Sequence, residues 1–120
     1  MSGRTRFLTH RGKQILLIDL SHCSAAEAEK IIRGVPEIVT AKPRGSVLIL
    51  TDYTGATVDE EVLRTVQESA VFDKPFVKRS AWIGAQNLPA AFYEKLKKFS
   101  GREFPTFKSR EEALEWLTTD

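Results

Sequence analysis

Three times in this chain, just ahead of an apolar helical stripe, a Ser or Thr is followed three residues later by Glu: Ser24 with Glu27, Thr57 with Glu60, and Ser109 with Glu112. This is the capping-box pattern, in which a hydroxyl accepts an early helical N–H while the Glu reaches back to the cap's own N–H. Each box stands shortly behind a stretch suited to a strand, residues 13–20, 46–51 and 104–107. The first two stretches are continuous in Ile, Leu and Val rather than alternating, as expected of strands covered on both faces. Strand followed at once by helix, repeated along a chain, requires right-handed crossovers and a largely parallel sheet.

The rest of the pattern completes that plan. Residues 6–10 and 13–20 flank Arg11-Gly12 and predict an opening hairpin, which adds one antiparallel strand. Behind Ser24, Ala28, Ile31, Ile32 and Val35 share a helical face. Gly34 and Pro36 then predict a break, with one more turn through Val39. Val58, Val62, Val66 and Ala70 form the stripe of the second helix, with Leu63 beside it. Lys74-Pro75 ends that helix, and residues 77–85 hold a buried strand around Ala81, Trp82 and Ile83. Leu88-Pro89 opens a third helix with the stripe Leu88, Phe92, Leu96 and Phe99, closed by Gly101 as a left-handed cap. Residues 104–107 predict a last strand at an edge, because Pro105 cannot donate to a ladder. Ala113, Leu114, Trp116 and Leu117 bury the final helix. The reading is a single α/β domain over residues 1–120, in the order ββαβαβαβα, with residues 1–5 as a flexible N-terminus.

Composition removes several function classes. Eighteen Lys and Arg against sixteen Asp and Glu give a net charge of +2, against the basic excess of a dedicated nucleic-acid binder. An apolar content of 42% excludes a disordered tail. Cys23 is the single cysteine, so no internal disulfide forms, and no Cys/His spacing matches a zinc site. Cytoplasmic residence is the corresponding expectation. The longest apolar run, residues 15–18, falls far below the roughly 20 residues that span a bilayer. Gly45, Gly55 and Gly84 are isolated rather than grouped in a phosphate loop. No metal and no cofactor is expected.

Open parallel sheets present their loops at the carboxyl ends of the strands, here residues 21–24, 52–57, 84–88 and 108–109. Several segments carry a resemblance: Gly12-Lys13-Gln14-Ile15-Leu16-Leu17-Ile18-Asp19, Leu48-Ile49-Leu50-Thr51-Asp52-Tyr53-Thr54-Gly55, Lys98-Phe99-Ser100-Gly101-Arg102, and Arg110-Glu111-Glu112-Ala113-Leu114-Glu115-Trp116-Leu117. In order and spacing the chain resembles the SpoIIAA-like family of small bacterial proteins, related in fold to STAS (anti-sigma-factor-antagonist) and CRAL-TRIO lipid-binding domains. The resemblance implies a STAS-like fold and a regulatory domain that binds a partner protein, or alternatively a lipid or small apolar or anionic ligand. Some STAS regulators are switched by phosphorylation at the start of the helix after the central strand, within Asp-Ser-Ser/Thr-Gly. This chain has Thr57-Val58-Asp59-Glu60 there, with Asp59 or Glu60 where the phosphoacceptor would stand and Thr54 and Thr57 as nearby hydroxyls.

Asp52, Tyr53, Thr54, Gly55, Thr57 and Glu60 are the candidate contact surface for a ligand or partner. Tyr53 would offer a rigid ring with a polar tip, although Asp and Gly also serve ordinary turns and Thr57 suits an N-cap. Lys95, Lys97, Lys98 and Arg102 are a candidate docking patch for an acidic partner or an anionic surface, or a solvated helix end. His22-Cys23 with Asp19 invites a thiol-nucleophile reading, but that needs a base within hydrogen-bond reach and an oxyanion site, and adjacency in sequence guarantees neither. The stretch reads more simply as a strand-to-helix loop, and no catalytic residue is assigned. His10, beside the hairpin turn, is expected to face solvent. Exposed edge strands would admit a homodimer. Residues 45–73 carry six acidic side chains against one basic, and residues 74–110 nine basic against two acidic. Such opposed segments suit docking to a protein.

Overall fold

Arg11 and Gly12 take φ values of 53° and 77°, the paired positive angles of a two-residue turn whose twist matches the strands it joins. It links β1, Thr5–His10, to β2, Lys13–Asp19, with Thr5 opposite Ile18 and His10 opposite Lys13. The computed structural model describes residues 4–119. Of the segment expected to be flexible, residues 1–3 lie outside the described residues. Arg4 and Thr5 belong to the hairpin instead: the Arg4 carbonyl accepts from the Asp19 N–H at 2.7 Å, and Thr5 is buried.

Ser24 caps α1, Ala25–Arg33, with both halves of the capping box formed, an arrangement contributing about 1 kcal/mol. Gly34 separates it from the short α2, Val35–Val39, which begins with Pro36 in its first turn. Next come β3, Val47–Asp52, and α3, Glu60–Asp73. A 3₁₀ turn over Lys74–Phe76 leads into β4, Val77–Ile83, and a second over Ala85–Asn87 precedes α4, Ala90–Ser100. Gly101 caps α4 at φ 68°. The chain then forms β5, Thr106–Phe107, and α5, Arg110–Leu117. β5 is shorter than the sequence predicts, though the Pro105 carbonyl still accepts from the Trp82 N–H at 2.9 Å.

The five strands lie in the order β1-β2-β3-β4-β5, antiparallel at the hairpin and parallel thereafter. Crossovers of one hand between strands added in one direction return over the same face. Residues from α1 to α4 accordingly share one core with Leu16, Ile18, Ile49 and Trp82. On the opposite face Ile15, Leu17, Leu48, Leu50, Ala81 and Ile83 meet Ala113 and Leu117 of α5. Every residue of β3 is buried, as its unbroken apolar run requires.

An eight-residue helix is too short to persist alone, and polar contacts fasten α5 across its face. Arg79 donates to the carbonyls of Trp116 and Thr119, each at 2.8 Å, and its guanidinium stacks on the Trp116 ring. Glu115 meets His10 at 3.0 Å and Arg11 at 2.7 Å. His10 therefore ties the hairpin to α5 instead of facing solvent. Phe99 also departs from expectation: it is 58% exposed, and Ser100 takes the buried position four residues beyond Leu96.

Gly84 tests the packing at the carboxyl ends of the strands. Its φ is 69°, and a Cβ there would run into the backbone N and Cα of Thr54. Gly84→Ala should cost at least about 2 kcal/mol in urea denaturation. Gly12→Ala, with a similar φ but open space around it, should cost about 1 kcal/mol. Equal losses would show that the approach to Thr54 is unimportant.

Candidate functional site

The loops at the carboxyl ends of the strands close on one another. Leu20 N–H donates to Asp52 O at 2.9 Å, His22 to Thr54 at 2.8 Å, Tyr53 to Ile83 at 2.9 Å, and Thr57 to Cys23 at 3.0 Å. The Thr54 N–H is held by the Asp52 carboxylate at 2.9 Å, and Gly55 sits against the His22 ring. Consecutive residues 52 and 53 point to opposite faces of the sheet. Asp52 faces α5, where Arg110 approaches it at 3.4 Å. Tyr53 faces the helical layer, 2% exposed, with its ring centroid 4.8 Å from that of Trp82. The Tyr53 ring is thus a core element, not the surface contact expected of it, and burial pushes its hydroxyl pKa well up.

Thr54, Gly55, Thr57 and Glu60 remain exposed. Thr57 is not the N-cap of α3. Asp59 is, its carboxylate accepting from the Val62 N–H at 2.9 Å. The helix begins two residues after the place that the Ser/Thr-x-x-Glu spacing suggests, and the Thr57 N–H bonds the Cys23 carbonyl. Cys23 is buried, and burial raises its thiol pKa, which disfavours the thiolate a nucleophile needs. Among the described residues, no three His, Cys, Asp or Glu side chains converge as metal ligands would.

A cavity of about 50 Å³ lies between the sheet and the helices, room for one or two water-sized groups. The register explains its floor. Ile18, Thr51 and Trp82 form one row across β2, β3 and β4, and Leu16, Ile49 and Ser80 form the next. Thr51 and Ser80 are small side chains at inward positions, and Ala70 of α3 lies over them, so the layers do not fill the gap. Val66, Ser69 and Asp73 of α3 line the same space, with Arg102 and Phe104 from the segment after α4. Ser69 and Arg102 are the lining residues that keep partial exposure, which places the mouth beside them.

Asp73 is 3% exposed. Its Oδ2 accepts from Ser69 Oγ at 2.9 Å, while its Oδ1 is buried without a hydrogen-bond partner among the described residues. Burial pushes the carboxyl up to about 6, against the Ser69 hydrogen bond and the nearby Arg102 charge. Arg102 directs its guanidinium elsewhere, to Ala70 O at 3.0 Å and Ser80 Oγ at 2.7 Å, and stacks it on the Phe104 ring. Desolvation lowers its own pKa, partly offset by Asp73. A buried carboxylate oxygen left unbonded costs roughly 1–3 kcal/mol or more, so this cluster carries stored cost that an incoming donor would relieve.

Arg102 is consequently no part of a surface patch. Lys95, Lys97 and Lys98 are exposed on α4, with Lys97 at 3.7 Å from Glu103. The acidic segment becomes the outer face of α3, where Glu60, Glu61 and Glu68 are exposed, and α3 packs beside α4. Asp73 and Arg102 escape a reading by residue type, since one closes a helix and the other follows a run of lysines. The available signal was Thr51 and Ser80, polar residues at inward positions of the two strands β3 and β4.

No protein-family profile and no curated protein matches this chain. Among solved structures it is similar to an uncharacterized protein of the DUF3478 family with a SpoIIAA-like fold, from Shewanella loihica PV-4. The TM-score is 0.66 at 16% identity, over 94% of this chain and 91% of that one. At that identity the likeness concerns fold alone. The chain has a SpoIIAA-like α/β fold, as its sequence resemblance implied.

The raised pKa of Asp73 has a definite sign in stability. Between about pH 4, where the unfolded carboxyl ionises, and about 6, the native state binds the extra proton. Stability therefore falls as pH rises through this window, by on the order of 3 kcal/mol. Asp19 and Glu115 have lowered pKa values and act below it. Urea midpoints at pH 4.5 and 7.5 should show this fall in the wild type, reduced in Asp73→Asn. An unchanged pH profile in the variant would refute the assignment.

Proposed function

We propose that this chain is a non-enzymatic domain that binds or senses a small ligand in the cavity between its sheet and its helical layer, in the manner of a CRAL-TRIO-like site. One observation carries the reading: Asp73, almost wholly buried and with one carboxylate oxygen unbonded among the described residues, lines a cavity with other polar side chains. A mostly apolar pocket with a few convergent polar groups and a displaced pKa is the usual form of a binding site. The volume favours a ligand, or an inserted group, of only a few heavy atoms over a whole lipid chain. Chemical-shift mapping of labelled protein against a library of neutral small molecules tests this. Hits should cluster on Ile18, Val66, Ala70 and Phe104 and disappear in Ala70→Leu, which fills the space. Hits scattered over the surface, or unaffected by Ala70→Leu, would count against it.

The surface supports a second reading, docking of a partner protein. Glu60, Glu61 and Glu68 are exposed on α3, and Lys95, Lys97 and Lys98 on the neighbouring α4; patches of opposite sign set register and encounter rate between proteins. The exposed Thr54, Gly55 and Thr57 border the acidic side. A stoichiometric, salt-sensitive complex should be lost when Glu60 and Glu61 are both changed to Lys. Survival of the complex at full affinity would place docking elsewhere.

A further inference from the structure

Resting on the cavity reading above, we infer that the group recognised there is the uncharged hydrogen-bond donor of a small alcohol or primary amide. The inference follows from what the cavity walls offer and lack. Oδ1 of Asp73 is buried and accepts nothing from the protein among the described residues, so the unmet requirement is for an O–H or N–H donor. An anionic head would add a second negative charge beside this carboxylate, which Arg102 does not bond. A cationic head would meet the Arg102 guanidinium, a partly buried charge that lines the same space. Between a carboxylate and a guanidinium, only an uncharged donor avoids repulsion from either side.

The rest of the lining agrees. Thr51 lines the cavity from the sheet with a hydroxyl that both donates and accepts, and so does Tyr53. Ser69 is already oriented toward Asp73, and Ser80 toward Arg102. Apolar surface from Ile18, Ile32, Val35, Ile49, Val66 and Phe104 completes the wall, suited to a short alkyl chain attached to the donor. A site built to bond a hydroxyl discriminates strongly against an analogue that leaves its buried polar group unpaired.

Three probes of matched length separate the head groups: 1-propanol, propionate and propylammonium, titrated at pH 7.5 into labelled protein. Propanol should perturb Ser69, Asp73 and Arg102 at concentrations about tenfold below the other two, the ratio that one net hydrogen bond supplies. In Asp73→Leu the preference over propionate should fall to within about twofold, the donor having lost its acceptor and the anion its repulsion. In Asp73→Asn, which keeps the shape and removes the charge, propionate should gain most. The Asn variant decides the matter should the Leu variant not fold. Equal responses to all three probes, no response to any, or a preference unchanged in the folded variants would overturn the head-group assignment. The cavity reading itself stands or falls separately, on whether library hits depend on Ala70.

Discussion

The strands of this protein are laid side by side in chain order, and most of its architecture follows from that constraint. Each crossover from β2 onward returns over the same face, so α1 to α4 accumulate as one layer while the other face is left bare. The chain reaches that bare face only after its last strand, through α5. One side of the sheet is consequently thick, with room for an imperfect junction between layers. The other is thin and closed by a short helix that depends on Arg79, Glu115 and Arg110 for its hold.

Element types and order were legible because local and long-range signals agree in most places. Ser24 is both the cap that its spacing suggests and the first residue free of the preceding strand and loop. At α3 they disagree. Thr57 and Asp59 are both good caps, and Asp59 takes the position, its carboxylate accepting from the Val62 N–H. In α4 the stripe continues at strict four-residue spacing from Phe92 through Leu96 to Ser100, whose hydroxyl satisfies itself on the Leu96 carbonyl at 2.7 Å. A hydrophobicity pattern prefers Phe99 at that point, and helix geometry turns it outward.

The site was the least legible part, for a related reason. Side-chain type predicts surface for Asp73 and Arg102, since ionised groups are rarely buried without partners. Around them lie three small residues, Thr51, Ser80 and Ala70, drawn from separate elements and brought together by the strand register and the packing of α3 on the sheet. No window of sequence contains that alignment. The opposite error occurred at Tyr53, where a loop position suggested an accessible ring and the strand's alternation carried it inward. Both cases concern residues whose depth is set by neighbours distant in the chain, and both fall where the layers fail to fill space. Such tolerance of an unfilled, polar junction is a cost in stability that natural folds accept mainly where a site is kept.

The pairing of Glu115 with His10 and Arg11 spans more than one hundred residues. During synthesis the opening hairpin leaves the ribosome early, with Ile15 and Leu17 directed at a face that nothing yet covers. Those side chains stay wet, or are shielded by a chaperone, until nearly the whole chain has emerged and α5 can dock. The interval is also the period of greatest risk, because β1 and the growing edge of the sheet both offer unpaired backbone. Two of the residues that fasten the last helix, His10 and Arg11, lie at the hairpin turn itself. They form the contacts by which the completed chain closes.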